Sequence, residues 1–188
     1  NSRPVGVLCA LNAEVKSGSV LAWSQRKVFT LNPEQTTVGK KGVALTGGTS
    51  QHWNELSASQ QQDVVSQEQL DYMLGDDSHE QQQGGNFRNR SVKQRTLAAV
   101  VHAPPLWVSN GQTADGSYVR LYPSSLSSSN KSHEDFLQSI EQRPAMVYVS
   151  ASDGLLHAYQ YSTSSGTFTE KFVYLPDAIL PQLAAFSS

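Results

Sequence analysis

Ala145-Met-Val-Tyr-Val-Ser-Ala-Ser-Asp-Gly-Leu-Leu-His-Ala-Tyr-Gln-Tyr161 is the stretch on which the fold class turns. Ala145 to Ala151 is a β-branched and aromatic run of strand length. Ser152-Asp153-Gly154 interrupts it, and Asp153-Gly154 supplies the positive-φ positions that a tight turn needs. Leu155 to Tyr161 then returns as a second strand, and two strands joined so closely must pair antiparallel. Alternation along the return strand sets His157 on one face with Leu155 and Tyr159.

The same texture extends outward in both directions. Thr163-Ser-Ser-Gly166 turns the chain again, and Glu170-Lys-Phe-Val-Tyr-Leu-Pro176 reads as the next strand. Asp177 opens a final helical segment through Phe186, against which Pro181 counts. Upstream, Ser132-x-x-Asp135 has the form of a capping box opening a short helix through Phe136, Leu137 and Ile140, which ends before Pro144. Ser124 to Ser132 reads as an exposed serine-rich loop. Further strands are expected at Leu97-Ala-Ala-Val-Val-His102, Pro105-Leu-Trp-Val-Ser109 and Tyr118-Val-Arg-Leu-Tyr122, with turns at Asn110-Gly111 and Asp115-Gly116. Near the beginning, Val5-Gly-Val-Leu8, Ser19-Val-Leu-Ala-Trp23, Arg26-Lys-Val-Phe-Thr-Leu31 and Val43-Ala-Leu-Thr46 are strand-like.

One stretch departs from this pattern. Leu56 to Leu74 has no Gly or Pro and is rich in Gln60, Gln61, Gln62, Gln67, Glu68 and Gln69, which predicts a helix over about 57–75. Ser57 or Ser59 serves as N-cap, Gly75 stands at the C-terminal cap, and a break is expected near Ser66. Leu56, Val64, Val65, Tyr72 and Met73 form its apolar stripe. The polar residues that follow, about 76–86, read as a mobile loop.

Composition limits the function classes. The chain has 188 residues, 38% hydrophobic and 16% charged, with a net charge of −2; mean hydropathy is −0.41. Its polarity rests on Ser, Thr, Gln, Asn and Gly, a balance common in secreted β proteins. Arg88, Arg90, Lys93 and Arg95 are one short basic run, not the dense face that nucleic acid requires. Cys9 is the single cysteine and is expected to be a buried thiol, the alternative being a partner cysteine elsewhere. No apolar run approaches the ~18 residues of a membrane span. The opening Asn1-Ser-Arg-Pro carries neither an initiator Met nor a leader, so the chain is read as a fragment of a longer protein.

The expected fold is mainly β: antiparallel hairpins in a partial or modified β-propeller, with one long helical insertion and short helices, as a single region over 1–188. Leu106-Trp-Val-Ser-Asn and Val147-Tyr-Val-Ser-Ala echo each other at about the 40–50-residue spacing of propeller blades. A closed ring needs about four to eight four-stranded blades, so an incomplete ring, a docked fragment or a ring whose rest comes from a partner chain is expected.

Several of these motifs, taken in order, carry a family resemblance. Leu74-Gly75-Asp76-Asp77-Ser-x-Glu80 followed by Gly85-x-Phe87-Arg88-Asn-Arg90 resembles the stretch before the propeller core of the PilY family of type IV pilus tip adhesins. Arg143-Pro-Ala-Met-Val-Tyr-Val-Ser-Ala-Ser-Asp153-Gly154-Leu-Leu-His157-Ala-Tyr resembles the family's signature hairpin, Phe136 its entry helix, and Phe172-Val-Tyr-Leu-Pro its next strand. The set covers roughly the C-terminal two-thirds of the chain. Leu97-Ala-Ala-Val-Val-His departs from it, since the family has a Gly-Asp pair there, and the calcium loop of some members has no counterpart. The resemblance therefore implies a divergent member without a cofactor or a metal. It further implies a cell-surface or pilus-tip location, reached through the periplasm of a Gram-negative bacterium, with pilin and minor pilins, a host or abiotic surface, and the rest of its own propeller as partners. The implied role is pilus assembly and surface adhesion. The alternatives are a quinoprotein-like oxidoreductase propeller and an outer-membrane assembly scaffold.

No catalytic motif stands in the sequence: there is no Gly-x-Ser-x-Gly, His-Glu-x-x-His, phosphate loop or dinucleotide fingerprint, and the expectation is that the protein is not an enzyme. Asp76, Asp77, His79 and Glu80 lack the spacing of a calcium loop and read as a solvated loop. His157 reads as a hydrogen-bonded strand histidine, Asp153 as a turn former, and Arg88 and Arg90 as ties from the connector to the sheet. Trp23, Trp53 and Trp107 read as core rather than as a sugar-stacking platform. Gly75, Asp76, Glu80, Phe87, Arg88, Arg90, Arg143, Asp153, Gly154 and His157 are thus expected to be structural motif positions.

Overall fold

The structure, a computed structural model, describes residues 21–46, 51–90, 98–109, 133–183 and 185. In chain order its elements are β1 (Lys27–Leu31), β2 (Gly42–Thr46), α1 (Gln51–Asn54), α2 (Ala58–Val64), α3 (Gln67–Leu74), β3 (Leu106–Val108), α4 (His133–Ser139), β4 (Met146–Ser150), β5 (Leu156–Ser162) and β6 (Thr167–Tyr174). The six strands make one sheet in the order β2-β1-β6-β5-β4-β3.

The deciding hairpin forms as its sequence requires. β4 and β5 pair antiparallel from Met146 opposite Gln160 to Ser150 opposite Leu156. Gly154 takes φ +80°, while Asp153 keeps negative φ and accepts the Leu155 N–H on its side chain at 3.0 Å. The turn is therefore one residue looser than a two-residue turn, and a single glycine suffices. A Cβ on Gly154 would lie 2.6 Å from Ile179 Cγ2, so the turn is clamped by the C-terminal segment as well.

β5 continues into β6 through the expected turn, but β6 starts earlier than the sequence suggests, at Thr167. A bulge between Ala158 and Tyr159 sets Phe172 opposite Ala158 and Glu170 opposite Tyr159. Lys171 is the extra residue, and the shift turns Glu170 onto the face that carries His157.

Three expectations are corrected at the level of topology. First, the sheet is mixed rather than all-antiparallel: β1 runs parallel to β6, with Val28 opposite Val173, and brings β2 along as its antiparallel partner. The described strands form one open sheet. Second, Leu106-Trp-Val and Val147-Tyr-Val are not equivalent strands of successive blades; they pair with each other, Leu106 opposite Tyr148. Third, residues 98–102 are not a strand, and the Ser152 N–H to Ala99 carbonyl bond at 2.8 Å ties them to the hairpin turn.

The helical insertion lies where it was expected but in pieces. Ser57 caps α2 in a reciprocal capping box with Gln60, Ser66 caps α3 through the Gln69 N–H, and Gly75 closes α3 with φ +121°. Between them Val65 has φ +73° and the Ser66 N–H bonds to the Val64 carbonyl at 2.9 Å, a γ-turn that splits the helix. Val65 consequently leaves the apolar stripe and is 69% exposed, while Leu70 and Leu74 join it. The final segment is a 3-10 helix over Asp177–Gln182 that includes Pro181, and Asp177 does not cap it. Instead Asp177 accepts from Gln60 Nε2 at 2.5 Å, and the same amide donates to the Leu31 carbonyl at 2.7 Å.

The main core lies between the helices and one face of the sheet: Val28, Val43, Leu45, Val64, Leu70, Leu74, Val173, Leu180 and their neighbours. A smaller cluster, Val147, Val149, Tyr159 and Phe168, continues it toward β3. His52 of α1 is buried with Nε2 2.9 Å from Asp71 Oδ1 of α3, an approach without hydrogen-bond alignment. Burial raises the Asp71 pKa, opposed by His52. The strand expected over 19–23 is not one in its described end, where Trp23–Gln25 forms a 3-10 turn. Cys9, the strand expected at 5–8, residues 19–20, Lys93, Arg95, the turns and strand expected over 110–122, the loop expected at 124–132 and Phe186 lie outside the described residues.

Candidate functional site

Two polar clusters are buried on the helix side of the sheet, and the motif residues converge on them. The first is centred on Glu170. Arg26, 2% exposed and immediately before β1, donates to it twice, Nε to Oε1 at 2.8 Å and Nη2 to Oε2 at 3.0 Å. Its Nη1 donates to the Leu74 carbonyl at 2.6 Å, at the end of α3. His157, with no exposed surface, has Nδ1 3.3 Å from Glu170 Oε2 and Nε2 3.3 Å from Asp153 Oδ2. Its ring stacks on Tyr159 at 6.2 Å and 13°.

The electrostatics of this cluster run against simple burial. Burial alone lowers the His157 pKa, but the hydrogen bonds and charges of Asp153 and Glu170 outweigh it, and the net shift is upward. For Glu170 burial pushes upward, while His157 and Arg26 together pull the carboxyl below its usual range. The bidentate fork of Arg26 is the strongest geometry available to such a pair.

The second cluster is centred on Glu80, which is 1% exposed. Arg90 Nε donates to it at 2.5 Å and Gln82 Nε2 at 2.6 Å. Arg90 also donates to the carbonyls of Tyr72 and Asp76, and its guanidinium lies 4.3 Å from the Tyr72 ring centroid. Residues 76–90, expected as a mobile loop in their first part, are thus folded onto the end of α3. Phe87 packs on Tyr72 with ring centroids 5.0 Å apart, and Tyr72 Oη donates to the Arg88 carbonyl at 3.0 Å. The tie made by Arg90 reaches a helix end, not the sheet; the Arg88 side chain is exposed.

Gly75 joins the clusters. A Cβ there would meet Trp23 Cβ at 3.1 Å and Arg26 Nη1 at 3.5 Å, so the chain passes between them only without a side chain. Asp76 binds Ser78 through its carboxylate. Arg143 stands apart: its N–H closes the turn after α4 on the Ile140 carbonyl, and the side chain is exposed. Among the described residues no three His, Cys, Asp or Glu gather as a metal site. Trp23 and Trp53 pack against the main core, whereas Trp107 is 47% exposed against Tyr161. The three make no common platform.

Sequence reading missed Arg26 and Glu170. A signal was present: each is an ionised residue set in an alternating β run whose neighbours face a core, where an unpaired charge is not tolerated.

The other face of the sheet is apolar and open. Phe29 and Phe172 meet edge to face at 6.3 Å, and Phe172 and Tyr148 lie at 6.4 Å. Beyond Tyr148 is a hollow of about 430 Å³ lined by Ala103, Pro104, Leu106, Tyr148, Ser150 and Leu156. No helix among the described residues is long and apolar enough to cross a membrane.

Comparison with known proteins points one way. Over 125 residues the chain is 31% identical to the type IV pilus biogenesis factor PilY1 homolog of Xylella fastidiosa, covering 65% of this chain and 9% of that protein. Over 177 residues it is 25% and 24% identical to the type IV pilus biogenesis factor PilY1 of Pseudomonas aeruginosa strains PAK and PAO1, covering 86% of this chain and 14% of each. The chain thus spans a small part of the length of these relatives. No family model matches it, and no solved structure does.

Proposed function

We propose, for a chain that is a divergent member of the PilY family, that it serves as one segment of a type IV pilus biogenesis factor and acts as a non-enzymatic β scaffold. In this reading it belongs at the cell surface, reached through the periplasm, and supports pilus assembly and surface adhesion at the pilus tip. The observation that carries the reading is where the family-like motifs lie. Gly75, Glu80, Phe87, Arg90, Asp153, Gly154 and His157 all hold helices, connector and hairpin to one another. A shared architecture is what such motifs maintain when partners differ between members.

The open apolar face supports the further reading of this sheet as part of a propeller, since blades bury both faces against their neighbours. The rest of the same propeller is then one partner, with pilin and minor pilins and a host or abiotic surface as the others. Loops on a rigid β scaffold are the usual contact elements, and residues 76–85 and 124–132 are the candidates here. Neither a cofactor nor a metal has a part in this reading. Calorimetric binding of a quinone with calcium would overturn that part of it.

The test is location and size. Antibodies raised to this segment are applied to sheared surface appendages of the source bacterium, alongside a strain deleted for the gene. Co-purification with pili, and loss of pili on deletion, is the expected result. A species absent from the pili, with piliation intact after deletion, rejects the proposal.

A further inference from the structure

His157 sits between two carboxylate acceptors, a geometry that favours the doubly protonated ring. Asp153 Oδ2 and Glu170 Oε2 each lie 3.3 Å from one of its ring nitrogens. A neutral imidazole has one N–H, so one nitrogen would turn a lone pair toward a carboxylate oxygen. Arg26 already balances Glu170 through two hydrogen bonds, so among the described residues His157 is the counter-charge within reach of Asp153. Among the described residues the ring is faced by Asp153 from the turn, Glu170 from β6 and Tyr159 from β5, with Arg26 behind Glu170 and the apolar Val149 and Val173 on the paired strands. Burial and the Glu170 charge push the Tyr159 hydroxyl upward, so it stays neutral.

We propose that one proton on His157 is a lock: with it, the Asp153–Gly154 turn is fastened to β6 and through Arg26 to α3; without it, that turn opens. The chain of contacts is continuous. Asp153 fixes the turn through the Leu155 N–H, Gly154 lies against Ile179, and Glu170 passes the tie to Arg26 and the Leu74 carbonyl. Deprotonation leaves a buried and a half-buried carboxylate with one cation, and Asp153, at 17% side-chain exposure, is the carboxylate nearer to water. The turn therefore moves rather than β6. A segment built in this way is firm while His157 keeps its proton and loosens as pH rises through the folded pKa of that residue. The inference does not depend on the pilus reading.

The sign follows from linkage. A histidine whose folded pKa is raised above 6.5 contributes its stability in full below 6.5 and loses it as pH climbs through the folded value. Glu170, depressed below 4.5, contributes above 4.5 and loses its share as pH falls through its folded value. Greatest stability from these two groups is expected between 4.5 and 6.5, with a high-pH flank that belongs to His157.

The test uses the full chain. Nitrogen NMR of the imidazole reports the state directly: both ring nitrogens predominantly protonated at pH 6.5, with a midpoint above that ordinary value, is the expected result. Hydrogen exchange of the Gly154 and Leu155 amides, corrected for intrinsic base catalysis, should speed up about ten-fold for each pH unit above that midpoint, while β6 amides hold. In Asp153→Asn the midpoint falls and the high-pH flank of the stability curve flattens. A neutral tautomer at pH 6.5, or turn and β6 amides opening together, overturns the lock. Both are read on the unsubstituted protein, so a variant that fails to fold does not obscure the answer.

Discussion

At the β2-β1-β6 end, the sheet is covered on one face by α2, α3 and the C-terminal 3-10 helix, and its core residues are sealed. At the β4-β3 end the same face holds Val147, Val149, Tyr159 and Phe168, and on the other face Leu106 is 61% exposed. The Arg26–Glu170–His157–Asp153 cluster lies between these regions. The difference teaches that the charges are not an ornament of a finished core. They stand where the helix-covered core gives way to the smaller cluster, and they join the two by pairing.

The largest break in this arrangement is expected from Glu170→Gln. It removes the charge that Glu170 sets against the Arg26 guanidinium and puts an NH2 donor in place of one of the two acceptor oxygens that Arg26 and His157 share. Removing one member of a buried pair costs about 3–5 kcal/mol. Urea unfolding should show a loss of that size, and Glu170→Asp should recover little of it because the fork geometry is lost. A cost under about 1 kcal/mol, in the range of an exposed pair, would mean that the cluster is wet and the comparison drawn too sharply.

Next is a matched pair of leucines. Leu70 in α3 is fully buried, so Leu70→Ala should cost about 2–5 kcal/mol. Leu106→Ala, at 61% exposure, should fall within about 0.5 kcal/mol. The contrast measures the two ends directly in one denaturant series. Comparable losses at both positions would place a covering partner over the open face in solution.

How much of this was legible in the sequence follows the range of each interaction. The hairpin, its glycine turn, the Ser57 cap and Gly75 were readable because each is settled within a few residues by backbone preference. The parallel β1–β6 pairing was not, because nothing local in Val28-Phe29 names Val173-Tyr174 as its partner. Arg26 and Glu170 are 144 positions apart, and their pairing depends on a bulge that decides whether Glu170 or Lys171 faces inward. The likeness of Leu106-Trp-Val to Val147-Tyr-Val suggested repetition but reflected adjacency. Neighbouring strands that share a face and a core select similar residues, with or without a repeat.

A smaller effect sharpens the role of the turn. Gly154→Ala sets a methyl 2.6 Å from Ile179 Cγ2 at φ +80°, and a strained position of that kind costs about 1–3 kcal/mol. The steric and conformational parts separate in the double variant with Ile179→Ala. If the clamp against Ile179 matters, Ile179→Ala costs less in the Gly154→Ala background than alone. Strict additivity would leave only the backbone conformation of the turn as the reason for glycine.

The smallest change should carry the opposite sign. Val65 is a β-branched residue at φ +73° in a γ-turn, a conformation such side chains resist. It is 69% exposed, so little packing repays the strain. Relief of about 1–3 kcal/mol, set against the extra chain entropy of about 0.5–1 kcal/mol that glycine loses on folding, leaves Val65→Gly a net gain of about 1 kcal/mol. Thermal unfolding of the isolated chain should register that gain as a raised midpoint. A lowered midpoint would assign Val65 a packing role in solution and move the α2–α3 break to the well-covered side of the comparison. The sign alone decides it, because the conformational and packing accounts differ in direction and not merely in size.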